Sequence, residues 1–432
     1  MNIVLISTYE LGHQPFGLAS PKAWLARDGH AVRCLDLSVE EVSDDAFRDA
    51  DLVAFYLPMH TATRLALPVI ERVKRCNPRA RLACYGLYAP LNADLLRSLG
   101  VEAILGGEFE AELANFANGS PATGTSLARL RFLKPDRAGL APARAHLHHG
   151  SEIKPIAYTE ASRGCKHLCR HCPVVPVYQG QFRIVQREVV LADIRQQIER
   201  GARHVTFGDP DFFNGPTHAM RIVEELHAEF PTITYDATIK IEHLLKHRDL
   251  LRPLSDTGCL FVTSAVESVD DRVLARLEKN HARRDFFEAV ALMREANLTV
   301  QPTFIAFTPW TTVDSYRDLL GVLAELNLIE NVPSIQLALR LLITSHSRLL
   351  ELDDLCVGSF DKKSLVYPWT HADSQVDALG ARVFRTVDAL QKQGRTRSQI
   401  FREIAHLAGL SLENFDLIPR AAIPYLDEPW YC

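Results

Sequence analysis

The 432-residue sequence predicts an α/β protein: a doubly wound parallel sheet, then a partial (βα)6 barrel, then a mostly helical C-terminal extension. Two patterns carry this expectation. Short runs that are apolar throughout alternate with amphipathic helical stretches, as do strands buried on both faces of a parallel sheet. That alternation pauses near residue 113 and resumes after residue 150 with six strand and helix repeats, two short of a closed eightfold barrel. A chain of this length exceeds one ordinary core. The expected divisions are 1–113 for the sheet, 114–150 for a linker, 151–344 for the barrel and 345–432 for the extension.

In the first division, residues 3–7, 32–35, 51–56, 81–85 and 102–105 read as strands. Ser20 and Pro21 read as the N-cap and first-turn proline of a helix that buries Trp24 and Leu25 and stops at Gly29. A second helix is expected over 61–75. Doubly wound sheets bind ligands at the carboxyl ends of their strands, and those ends carry Tyr9, Glu10, His13, Pro58, His60, Tyr85, Tyr88 and Glu108. This part of the chain resembles the cobalamin-binding module that precedes many radical S-adenosylmethionine (SAM) cores. It lacks that module's Asp-x-His-x-x-Gly ligand loop, the nearest feature being Glu10-Leu11-Gly12-His13. Cobalamin is therefore a secondary cofactor expectation beside a retained fold in which His13 and His60 are ordinary rim residues.

Residues 115–126 are rich in Gly, Ser, Thr and Pro, which marks an exposed connection. Residues 130–147 hold Pro135 and Pro142 without a sustained period and read as an extended strap with solvated basic residues. Barrel strands are expected at 156–161, 204–208, 232–239, 260–265, 299–305 and 334–341. Helices are expected near 189–200, 217–230, 242–251, 270–279, 284–296 and 312–326.

After the first barrel strand comes Cys165-x3-Cys169-x2-Cys172, three thiols within reach of one point. Thiolates bind soft metals and iron-sulfur clusters, and Lys166, His167, Arg170 and His171 bring positive charge that lowers thiol pKa values. A structural zinc site closed by His167 or His171 is the competing reading, although no second Cys pair is present. Nine cysteines, an odd count without a secretory signal, argue against disulfides. The spacing resembles that of radical SAM enzymes, which implies a [4Fe-4S] cluster on the three cysteines and an open iron that chelates SAM. It also implies reductive cleavage of SAM to a carbon radical that modifies a second substrate.

Further motifs extend the resemblance. Phe207-Gly208-Asp209-Pro210-Asp211-Phe212 is similar to the second-strand ending of such cores, and Glu267-Ser268 with Leu274, Leu277 and Lys279 to the fourth. On this basis Glu267 and Ser268 are expected to contact the ribose or amino group of SAM, and Asp209 its ammonium. His171 stands where an aromatic residue usually covers the adenine, and Gly208, Lys240, Ser264, Gln301 and Arg340 complete the expected cofactor contacts. The segments 7–13, 57–63, 208–216 and 424–432 together resemble the CUAEP/CCAEP-tail radical SAM family, which continues past this point with Cys or selenocysteine followed by Ala-Glu-Pro. The expectation is a chain ended by a UGA selenocysteine codon, with Cys432 a catalytic or ligand residue. Arsenic or another thiophilic element attacked by a 3-amino-3-carboxypropyl radical is the alternative chemistry, and a non-catalytic zinc protein the alternative class.

Net charge is −5 with no basic block, so a nucleic-acid partner is not expected. No stretch has the length and apolarity of a membrane span, and the amino terminus reads as a strand, so a cytoplasmic protein served by flavodoxin or ferredoxin is expected.

Overall fold

The computed structural model describes residues 1–411 and 419–428. Its first sheet is wholly parallel, in the order β2-β1-β3-β4-β5-β6. The strands are β1 (Asn2–Ser7), β2 (Ala31–Asp36), β3 (Leu52–Tyr56), β4 (Arg81–Tyr85), β5 (Ala103–Gly107) and a short β6 (Thr125–Ser126). Apolar runs such as Ile3 to Ile6 are buried because helices cover both faces. Helices Phe16–Arg27 and Phe109–Ala117 pack on one face and His60–Cys76 on the other.

The first helix begins at Phe16, after Pro15 as N-cap, rather than at Pro21, so Pro21 lies inside it. A proline there leaves the carbonyl of residue 17 without its helical donor. Tyr85 repairs this by donating its hydroxyl to the Gly17 carbonyl at 2.8 Å. A side chain at Gly17 would collide with the Tyr56 ring, and Ser20 turns inward to donate to Glu110 Oε1.

The second sheet runs β14-β13-β12-β11-β8-β7-β15. Its parallel members are β8 (Glu152–Thr159), β11 (His204–Phe207), β12 (Thr234–Thr238), β13 (Cys259–Glu267) and β14 (Thr299–Phe304). A separate ribbon pairs β9 (Ser162–Gly164) with β10 (Phe182–Ile184). The sixth barrel strand expected at 334–341 is instead a 3-10 turn, Ser334–Leu337, followed by a single bridge between Phe307 and Arg340. Side chains take over the missing ladder: Gln336 Oε1 accepts from the Phe304 N–H, and Asn331 donates to the Val300 carbonyl.

The expected linker is more ordered than its composition suggests. It supplies β6 and β7 (His146–His149), the latter antiparallel to β8. Arg137, read from sequence as a solvated cation, is fully buried. It grips Asp193 through Nε and Nη2, both at 2.8 Å, and donates to the Tyr158 carbonyl. Cys84 and Cys259 are buried and Cys356 is exposed.

The C-terminal segment does structural work at the barrel's open side. Strand β15 (Tyr425–Leu426) pairs with β7, while the Pro424 carbonyl accepts from Gln301 of β14 at 2.6 Å. The segment thus touches both edges of the incomplete barrel. Among the described residues no helix is long and apolar enough to cross a membrane.

Removing one member of a buried ion pair strands the other charge. Arg137→Ala should cost about 3–5 kcal/mol of unfolding free energy, read from urea denaturation midpoints. An unchanged midpoint would show that Arg137 does not hold the linker to the barrel.

Candidate active site

Cys165, Cys169 and Cys172 lie on a loop between β9 and the short helix Val174–Tyr178. Such a loop has few backbone partners of its own, and side chains from other elements hold it. Asn214 accepts from the Lys166 N–H and donates to the Gly164 carbonyl, while Ser347 and Arg348 donate to the carbonyls of Arg170 and Leu168. Cys165 and Cys169 are buried and Cys172 is half-buried.

The charge that faces the thiols does not come from the loop. Lys166 donates to the Asn214 carbonyl, Arg170 pairs with Glu278, and burial lowers His167 to about 4, leaving it neutral. The relevant cations are Lys240, whose Nζ lies 3.7 Å from Cys169 Sγ, and Lys279, which opposes the burial that pushes Cys172 up to about 12. Lys240 follows the end of β12 and Lys279 the helix Asp271–Leu277 that comes after β13, a placement that sequence spacing does not display.

Glu267 ends β13 at a register shift, with φ at 69°. Such a bulge re-aims a side chain. Burial would raise its carboxyl, but Lys279 at 3.3 Å and His171 at 3.2 Å hold it down at about 2. His171 is therefore bound to Glu267 through Nε2, while its Nδ1 is buried without a partner. Asp209 accepts from Ser162 Oγ and the Ala161 N–H, and burial pushes its carboxyl up to about 7. Gly208 is required by a close approach, since a Cβ there would meet the Tyr158 hydroxyl.

The structure brings Cys165, Cys169, Cys172, His171, Lys240 and Glu267 together and separates others from them. Ser264 is buried with an unpartnered hydroxyl, and Ser268 accepts from the Asp270 N–H. Gln301 holds the C-terminal segment. Arg340 is turned away, bound to Asp377 and stacked on Trp369. Cys432 lies outside the described residues. Sequence reasoning missed His281, which is buried near Lys279 and Lys240 with neither ring nitrogen partnered. It also missed the chain from Asp211 through His243 to His167, closed by contacts of 2.7 Å and 3.3 Å. A lone histidine carries no sequence signal of this kind.

Beside these groups a cavity of about 790 Å3 fills the barrel interior, reaching from His13 and Asp209 to Gln301 and Arg397. The C-terminal segment walls it, and Glu428 pairs with His13 at 2.8 Å.

Residues 159–320, which contain the cysteine loop and both carboxylates, match the Radical SAM superfamily. Over that stretch the chain is similar to radical SAM proteins. It is 25% identical over 328 residues to the hopanoid C-3 methylase of Methylococcus capsulatus, covering 69% of this chain and 62% of that protein. It is 26% identical to the tRNA-2-methylthio-N(6)-dimethylallyladenosine synthase of Histophilus somni, over 40% of this chain and 39% of that one. The chain thus spans less than two thirds of either relative. In fold it is similar to OxsB, a cobalamin-dependent SAM radical enzyme solved with aqua-cobalamin bound (TM-score 0.67, 12% identity, 94% of this chain and 71% of that). It is also similar to the radical SAM methyltransferase TsrM of Kitasatospora setae, solved with cobalamin and a [4Fe-4S] cluster (TM-score 0.58, 14% identity, 76% and 70%).

The three loop thiols fit a cluster better than a single ion. Sulfurs sharing one zinc lie about 3.8 Å apart, given Zn–S bonds of about 2.3 Å. Among the described residues the trio of ligating atoms within 4.8 Å of one another is Cys165, His167 and Asp211, so the three loop sulfurs are spread more widely. A corrinoid fits less well. The cleft between the first sheet's carboxyl edge and the barrel measures about 190 Å3, below the roughly 300 Å3 of small ligand sites. Arg163 lines it, bound to Glu110 and Glu160. Nε2 of His13 is paired with Glu428 and Nε2 of His60 with the Ser364 carbonyl, and His13 Nδ1 is buried without a partner. In this arrangement the cleft itself has no room for a corrinoid, while Glu10, Leu11, His13 and Met59 of the first domain also line the larger cavity.

Anaerobic incubation with hydroxocobalamin followed by gel filtration should leave the protein free of corrinoid. Stoichiometric retention would mean that the two domains part to admit it.

Proposed function

We propose that this chain is a radical SAM enzyme acting on a small polar molecule held in the barrel cavity. In this reading Cys165, Cys169 and Cys172 hold a [4Fe-4S] cluster. When bound and reduced, by flavodoxin or ferredoxin, that cluster supplies an electron to the SAM sulfonium, and a carbon–sulfur bond breaks homolytically. The observation that carries the reading is the convergence of three widely spaced thiols, Lys240 and an ionised Glu267 at adjoining strand ends.

The protein's own residues supply positioning and electrostatics. Lys240 and Lys279 offset thiolate charge in a buried setting, where an unpaired charge is costly. Glu267, kept ionised, is suited to receive the ammonium or ribose hydroxyls of SAM. Asp209, near neutrality and tied to the strand that leads into the loop, sets that strand's position and presents a second acceptor at the cavity edge. The segment 424–428 shields the cavity's open side, which suits chemistry that water or oxygen would quench.

A cavity of about 790 Å3 lies within the range of small-molecule sites. It favours a metabolite-sized substrate over the tRNA of one relative. Cys432, which would serve the thiophilic-element alternative, lies outside the described residues.

Reconstituted with iron and sulfide under anaerobic conditions and reduced with dithionite, the protein should convert SAM to a cleaved nucleoside seen by liquid chromatography. The triple Cys→Ala variant should bind no iron and make none. Absence of cleavage by the wild type, or cleavage unchanged in the triple variant, would overturn the proposal. Glu267→Gln should retain full iron content while binding SAM about tenfold more weakly, the loss of one charged hydrogen bond. Equal SAM affinity would remove Glu267 from the site.

A further inference from the structure

At the end of the cavity remote from Asp209, three arginines gather. Arg395 and Arg397 line it, and Arg420 stands behind, 3.5 Å above the Tyr425 ring. Arg397 and Arg420 converge on one acceptor, donating to the Glu330 carbonyl at 2.9 Å and 2.6 Å. That single carbonyl cannot satisfy two five-donor guanidiniums, and Arg420 Nη2 is buried without a partner.

No carboxylate among the described residues lies within salt-bridge distance of any of the three. Of the acidic groups nearby, Glu330 favours the charged form of both Arg397 and Arg420 without forming a salt bridge to either. Glu330 uses Oε1 to accept from the Ser398 N–H, and Asp388, which also lines the cavity, is paired with Lys392 at 2.8 Å. Burial, with Arg420 beside it, lowers Arg397 to about 9, and burial lowers Arg420 to about 10. Both still carry charge at neutral pH. Two half-buried like charges side by side lower the stability of the empty protein, and an anion between them would offset that cost.

We propose that this end of the cavity is an oxyanion site, in which Arg397, backed by Arg420 and with Arg395 at the rim, binds a carboxylate or phosphate group of the second substrate. The planar guanidinium fork suits both groups, since each offers paired oxygens. The inference rests on the reading of this cavity as the substrate site. It narrows that substrate to a small molecule with an anionic end held by the arginines. The opposite end then lies towards Asp209 and the strand ends. Tyr425 and the Pro424 carbonyl, which seal the cavity, touch Arg420 and Gln301, so the same segment that closes the barrel also braces the anion site.

Binding is measured without turnover, so its outcome is independent of SAM cleavage. The cluster-loaded full chain is titrated with inorganic phosphate and, separately, with succinate, against chloride at matched ionic strength, and thermal unfolding is followed. Saturable stabilisation by phosphate, by succinate or by both is expected, and the stronger of the two identifies the group. Arg397→Gln should weaken the effect by roughly tenfold to a hundredfold, the loss of a charged hydrogen-bonding partner. Arg397→Lys should retain part of it, and Arg284→Gln, on an exposed helix start, all of it. Should Arg397→Gln fold poorly, Arg395→Gln is read in its place, with a smaller loss expected. No stabilisation beyond chloride, or equal stabilisation in the Arg397 and Arg395 variants, would overturn the anion site. If SAM cleavage were then still observed, the enzymatic reading would stand; anion binding without SAM cleavage would overturn that reading and leave the site.

Discussion

The structure depends on one buried guanidinium. Arg163 lies two residues before Cys165 and joins the two domains at the point where the cysteine loop begins. It donates to both oxygens of Glu110 in the first domain, at 2.9 Å and 2.6 Å, and to Glu160 at the end of the first barrel strand. Phe16, Phe109 and Phe132 surround it. Burying such a cluster is costly unless every charge is matched, so the network fixes one relative placement of sheet and barrel rather than adding stability. The same residue lines the cleft between the first sheet's carboxyl edge and the barrel. In this chain the first domain acts as a rigid flank for the loop, with the Arg137–Asp193 pair performing a similar task for the linker.

From that anchor the site follows by strand geometry. Parallel strands end on one side, so Asp209, Lys240 and Glu267, which are distant in sequence, come to face the loop after the first strand. The barrel is incomplete, and an incomplete barrel exposes an edge. The 3-10 turn at Ser334–Leu337 covers one side through side-chain hydrogen bonds, and the segment 424–428 covers the other. Closure of the cavity, the brace on the arginine cluster and the His13–Glu428 contact therefore share one short stretch of chain.

Much of this was legible in the sequence. The strands of the first sheet were readable because a parallel strand buried on both faces leaves an unbroken apolar run, and the cysteine loop because thiol spacing is intrinsic to local chain geometry. Glu267 stood out for its motif. What escaped was set by long-range packing. Arg137 and Arg163 look like any surface arginines until the folded chain places Asp193 and Glu110 beside them. Pro21 and Ser20 fit a helix start, yet the Tyr85 hydroxyl makes a proline tolerable within the helix. Gln301 and Arg340 read as inward-facing site residues because alternation along a strand is visible. Their partners, Pro424 and Asp377, are not.

The central claim is that three thiols leave one corner of a cluster open to SAM. Mössbauer spectroscopy of the 57Fe-reconstituted protein, recorded with and without SAM, tests it most directly. The account predicts that SAM shifts the signal of a single iron of the four, and that Glu267→Gln weakens this response without loss of iron. Four equivalent irons unaffected by SAM, or no cluster signal at all, would contradict it.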